Sequence, residues 1–335
     1  MQKIKKMNQS KHIVKLVPPA LKQGDTIGII APAGPITEAQ ANIAIQKIRQ
    51  AGYIAKSAEG LCNTYGYLAG SDESRANQIN SMFADKNVKA IICARGGYGT
   101  SRILDMIDYD LIASNPKIIG GYSDITALLT AIYKKTGLIT FHSSMLVPDD
   151  NAYTRNSMWN IFSNGTRGHI IACNNNEQDE APTITISPKS NKSKCQGTLV
   201  GGNLCLLDSL LGTKYDISLH NKILFIEEIN EPPYKIDRML THLRMSKNLN
   251  GLAGLIIGKL KGCEAQGNHS LPLNDVINDF CKDLNIPIVA NFSFGHVKSR
   301  CTLPIGARVE LDCYKKEIKL LEDVVVPQSN ISSIS

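Results

Sequence analysis

The 335-residue chain is 43% hydrophobic and 20% charged, a balance that excludes a wholly disordered chain, a collagen-like repeat and a disulfide miniprotein. Its formal net charge of +7 is concentrated at one end: six lysines and no acid stand in the first 23 residues, which leaves +1 for the remainder. A near-neutral body with no aromatic–basic stripe speaks against a nucleic-acid partner, and no window approaches 18 uninterrupted apolar residues, so no membrane-spanning helix is expected.

Residues 1–23 read as a basic, solvated tail without the apolar run or small-residue cleavage site of a secretory signal. From residue 24 short apolar runs alternate with amphipathic stretches. DTIGIIAPAG predicts a buried strand running into a Gly/Pro turn, and ITEAQANIAIQKIRQAG a helix with a glycine stop. YIAKSAE is a strand, ESRANQINSMFAD a helix, VKAIICA a strand and TSRILDMID a helix. PKIIGGY, the helix DITALLTAIYKKTG ending at Gly137, and LITFHS complete a 24–147 unit. Apolar strands alternating with helices predict an α/β fold with a parallel sheet covered on both faces. Residues 148–196 are rich in Asn, Asp and Gly and read as a linker region with room for one edge strand, HIIAC or TITIS. A second unit, 197–325, holds GTLVGGNLCLLDSLLG, the strand KILFIEEI, the helix IDRMLTHLRMS, the strand GLAGLIIGKL, the helix LNDVINDFCKDL and the strand IPIVANF. ARVELDC and KEIKLLE form a closing hairpin, and 326–335 a polar tail. The nine cysteines are scattered with no C-x-x-C pair, as in a reduced cytoplasmic protein rather than a disulfide or zinc framework.

Two glycine-rich strand-to-helix turns are candidate chemistry. ARGGYGTSR places Gly96, Gly97 and Gly99 where backbone N–H groups face a ligand, without a Walker lysine or G-x-G-x-x-G spacing. GGYSDIT puts Ser123 at the next such turn, either as a helix cap or as a nucleophile whose neighbouring N–H meets a developing oxyanion. A nucleophilic serine needs a base and an orienting acid. His296 in FSFGHVKSR is the better-placed base and His142 in TFHSS its rival. Glu227 and Glu228 end an apolar strand, and alternation does not choose between them.

IGIIAPAGPI, GYLAGSDESRANQINSMF, ARGGYGTSRILDMIDYDLI, PKIIGGYSDITALLTAIY, TFHSSM, GGNLCLLDSLLGT, ILFIEEINEPPYKIDRMLTHL and PIVANFSFGHVKSRCTLPIGARVELD together resemble the LD-carboxypeptidases, serine peptidases that include the murein-recycling enzymes and the microcin C self-immunity peptidase. The resemblance implies a doubly wound N-terminal domain carrying the nucleophile, and a smaller, β-rich α/β C-terminal domain carrying the acid and base. The site would lie in the cleft between them. It implies a Ser123–His296–Glu227 triad, with an oxyanion hole formed by the N–H of Asp124 and that of Gly96 or Gly97. It further implies a muropeptide substrate, no metal or cofactor, no membrane partner, a cytoplasmic location and a homodimer. The substrate expected is a murein tetrapeptide that loses its terminal D-alanine. The alternatives are an immunity-type peptidase of the same family and a non-catalytic two-domain ligand binder. The substrate's terminal carboxylate calls for a cation, and Arg95, Arg102, Arg238, Arg300 and Arg308 are all available by sequence.

Overall fold

The structure is a computed structural model that describes residues 14–174, 181–186, 189–247, 249–267 and 269–327. Strand β1 (Thr26–Ile30) is followed by α1 (Glu38–Gln50), β2 (Ile54–Ser57), α2 (Asp72–Ala84), β3 (Val88–Cys93), α3 (Thr100–Ile103), α4 (Tyr109–Ser114), β4 (Ile118–Gly121), α5 (Ile125–Thr136) and β5 (Thr140–His142). Local signals set the helix ends. Thr37 and Gln40 form a capping box at the start of α1, and Gly137 closes α5 in the left-handed conformation. The five strands are parallel in the order β2-β1-β3-β4-β5; the apolar runs of β1, β3, β4 and β5 are buried as a sheet covered on both faces requires, and the edge strand β2 is largely exposed.

The chain continues through α6 (Ala152–Asn164), β6 (Ile170–Ala172), β7 (Lys194–Asn203), α7 (Leu204–Leu210), β8 (Lys222–Ile229), α8 (Pro233–Ser246), β9 (Gly254–Lys261), α9 (Leu273–Cys281), β10 (Ile288–Val289), β11 (Leu303–Ile305), β12 (Arg308–Asp312) and β13 (Glu317–Leu320). A second sheet runs β10-β9-β8-β7-β12-β13-β6, parallel from β10 to β7 and antiparallel beyond. The mixed α/β architecture with two parallel-containing sheets agrees with the expected fold class.

Three features depart from the sequence reading. Residues 14–23 are docked rather than solvated: Leu16 exchanges backbone bonds with Gly137 and Ile139, and Ala20 and Leu21 are buried. The polar stretch after residue 148 carries a packed helix, because Met158, Ile161 and Phe162 supply a buried stripe at helical spacing. Its edge strand is β6, within HIIAC; in TITIS, Ile184 is held by Asn291 without strand pairing, and the end of that run lies outside the described residues. Finally, β11 leaves the second unit and adds to the first sheet, antiparallel to β5, with Leu303 opposite His142.

The two sheets share a core. Ile223 and Phe225 of β8, with Phe292 and Phe294, belong to the same buried cluster as β1, β3 and β4. Leu224 and Ile226, on the other face of β8, pack with α8 and α9 in a second cluster.

Candidate active site

Ser123 follows β4 at a turn so sharp that its φ is +63°, a left-handed conformation uncommon for any residue but glycine. Thr126 N–H donates to the Ser123 carbonyl at 2.9 Å, so α5 begins immediately behind the hydroxyl. This strained strand-to-helix geometry is the kind found at nucleophile elbows.

The choice between the paired acids follows from the sheet. Successive side chains on β8 face opposite ways, so Glu227 shares the Phe225 side, toward the first sheet. A register shift against β9 between Ile226 and Glu228 marks a bulge at this position. Glu228 turns away: it accepts from Asn203 Nδ2 at 2.7 Å, Cys205 N at 2.8 Å and Ile229 N at 2.9 Å, capping α7. Burial, then the neighbouring Glu227 carboxylate, push the Glu228 carboxyl up to about 7.

His296 stands in the turn after β10. Gly295 before it has φ +111°, and a Cβ there would meet Lys259 O at 2.9 Å and Glu227 Oε2 at 3.2 Å. The missing side chain is therefore what lets this turn close on Glu227. His296 Nδ1 lies 2.8 Å from Glu227 Oε2, and His296 Nε2 lies 3.0 Å from Ser123 Oγ. A carboxylate only accepts, so Nδ1–H donates to Glu227 and Nε2 is left to accept from the serine hydroxyl. Glu227 is fully buried and the His296 side chain is 14% exposed. Burial alone would raise the Glu227 carboxyl; its pairing with His296 outweighs this and holds it below the usual glutamate value. His142 makes no bond to the serine. It is buried, its Nδ1 meets no partner among the described residues, and desolvation pushes it down to about 4, so it is a neutral wall of the site.

A Cβ on Gly96 would stand 3.0 Å from Ser123 Cβ and 3.6 Å from Asp124 N, so the loop backbone lies directly against the elbow. A Cβ on Gly97, at φ +129°, would stand 3.1 Å from Gly34 Cα and N. Asp124 ties loop to elbow, taking Thr100 N–H on its carboxylate at 2.9 Å and the Thr100 hydroxyl on its carbonyl at 2.5 Å. Of the five candidate arginines, Arg102 pairs with Asp72, Arg238 and Arg308 are exposed, and Arg300 is buried. Arg95 is half-buried and donates only to carbonyls, Gly96 O at 3.2 Å and Pro35 O at 3.4 Å.

Sequence reasoning missed Arg75. Fully buried, it donates to Pro32 O at 2.6 Å and Gly99 O at 2.9 Å and pairs with Asp72, which fastens the glycine loop to α2. A signal was present, since Arg75 stands at stripe spacing with Ile79 and Met82. Tyr122 was missed as well; its ring meets His296 edge-on, centroids 5.0 Å apart.

Sequence models of the LD-carboxypeptidase N-terminal and C-terminal domains match residues 27–143 and 196–311. The "Probable murein peptide carboxypeptidase" of Bacillus subtilis (strain 168) is 39% identical over 307 residues, covering 89% of this chain and 92% of its own. The crystal structure of muramoyltetrapeptide carboxypeptidase from Oxalobacter formigenes aligns with a TM-score of 0.76 at 29% identity, covering 90% of this chain and 100% of that one. The structure of MccF in complex with glutamyl sulfamoyl guanosine aligns with a TM-score of 0.84 at 26% identity, covering 93% and 100%. Among the described residues no helix is long and apolar enough to cross a membrane, and all nine cysteines are free.

Proposed function

The chain belongs to the LD-carboxypeptidase family of serine carboxypeptidases, and on that premise we propose that it releases the terminal D-alanine of a cytoplasmic murein tetrapeptide. The observation that carries the reading is the pair of bonds made by His296, 2.8 Å to Glu227 and 3.0 Å to Ser123, on a serine whose backbone is already strained. In the mechanism, His296 Nε2 takes the hydroxyl proton as Ser123 Oγ attacks the carbonyl carbon of the L,D-bond. Glu227 holds the Nδ1–H tautomer and stabilises the imidazolium. The oxyanion is met by the N–H of Asp124 and by the Gly96–Gly97 loop. The imidazolium then protonates the departing D-alanine amine, and a water activated by the same imidazole hydrolyses the acyl-serine. Arg95, on that loop and without an acid partner among the described residues, takes the terminal carboxylate.

Free thiols on nine cysteines support a reducing, cytoplasmic setting. The family resemblance adds a homodimer, which light scattering decides. The central experiment is mass spectrometry of a synthetic tetrapeptide ending in D-alanine beside its all-L counterpart. Loss of one alanine from the first alone is expected; no loss from either sinks the substrate assignment. Likeness to MccF favours a second reading, a peptidase acting on aminoacyl nucleotides. Aspartyl sulfamoyl adenosine in a parallel reaction separates the two. Labelling of Ser123 by a fluorophosphonate separates both from a non-catalytic binder.

A further inference from the structure

Arg300 is 5% exposed, yet no described carboxylate pairs with it. A buried cation of this kind costs several kcal/mol unless dipoles or rings compensate it. Its compensation is spread over three segments. Nη1 donates to Val297 O, the residue after His296. Nη2 donates to Ser144 Oγ at 3.1 Å and to Asp149 O at 2.6 Å, both in the loop after β5. The guanidinium carbon lies 5.1 Å from the ring centroid of Tyr122, the residue before Ser123, and that same ring is 5.0 Å from the His296 ring. One side chain thus touches the base-bearing turn, the elbow residue beside the nucleophile, and the loop between them.

We propose that Arg300 is a positioning residue that holds the His296 turn in register with the Ser123 elbow. It rests on the serine-peptidase reading above and goes beyond it by naming what keeps the two halves of the relay together. Only the guanidinium fork can make all of these contacts at once, because a lysine places one donor where Arg300 places donors in two directions and a flat face on Tyr122.

The test uses the full chain with Arg300→Met and Arg300→Lys, read by tetrapeptide kinetics, with kcat and KM separated, and by the rate of fluorophosphonate labelling at Ser123. Arg300→Met is expected to lower kcat about 30- to 100-fold with KM changed less than about 3-fold, and to slow labelling in parallel. Arg300→Lys, which keeps the charge but not the planar fork, is expected to lose rate and labelling as well. Undiminished kcat and labelling in Arg300→Met overturn the proposal, as does a rise in KM alone, which would make Arg300 a direct substrate contact. If Arg300→Met does not fold, Arg300→Lys and Tyr122→Leu, which removes only the ring, carry the same rate and labelling criteria. Wild-type protein that labels without cleaving the peptide removes the substrate assignment and leaves this inference standing on labelling. Protein that does neither overturns both.

Discussion

The hydroxyl of Ser123, the proposed nucleophile, is held by a backbone that no ordinary residue prefers, with φ at +63°. Strain of this kind survives only where the surroundings over-determine it, and here the Gly96 backbone in front and α5 behind do so. Ser123→Ala should cost at least about 1,000-fold in kcat, and Glu227→Gln about 100- to 10,000-fold with the fold intact, since it disturbs the tautomer rather than the packing. Steady-state rates on the tetrapeptide check both. Gly295→Ala forces a Cβ to 2.9 Å from Lys259 O at a left-handed position, so a loss of about 10- to 100-fold is expected with the imidazole displaced. Wild-type turnover by that variant would show that the turn has slack. Glu228 offers a pH test. Its folded-state value, near 7, lies above that of an unfolded glutamate, so between about 4.5 and 7 the native state binds more protons. The stability it contributes is present below that window and is lost as pH rises through it, by up to about 3 kcal/mol. Glu228→Gln should therefore flatten the thermal-stability profile between pH 5 and 8; a profile parallel to wild type would disprove the shift.

At the scale of elements, the glycine loop is governed by α2. Arg75 ties Gly99 and Pro32 to this helix, and Arg75→Met should destabilise the protein by about 3 kcal/mol in urea unfolding while slowing Ser123 labelling. Stability loss without any change in labelling would confine Arg75 to packing. The strands of the parallel sheet were legible from periodicity alone, because runs such as VKAIICA are buried on both faces and bounded by turns, but α4 was not read and TSRILDMID forms only the short α3 and a 3-10 turn. Ser123, His296 and the glutamate pair were legible as residue types at strand mouths. Glu227 was singled out from Glu228 by the family resemblance and not by alternation, since the choice depends on a bulge and on which core each face of β8 meets. The docking of residues 14–23, the return of β11 to the first sheet, and the roles of Arg75 and Arg300 depend on partners far along the chain, which periodicity does not encode.

For the whole molecule, the decisive fact is that one apolar cluster runs through both sheets. Phe225 sits in that cluster and is fully buried. Calorimetry should therefore record a single transition, and Phe225→Ala should lower that one transition by about 3–5 kcal/mol of stability. Two separable transitions, only one of them moved by the substitution, would mean that the units melt independently. Shared packing of this kind also explains how a 3.0 Å contact between parts of two sheets persists without a covalent link.

Ser123 and His296 stand 173 positions apart. During synthesis the proposed nucleophile leaves the ribosome long before the proposed proton acceptor, and for that interval the growing polypeptide carries only an idle alcohol. On the proposed relay, hydrolytic power arrives at one late moment, when the returning segment seats itself, so a fragment ending anywhere in between should lack it.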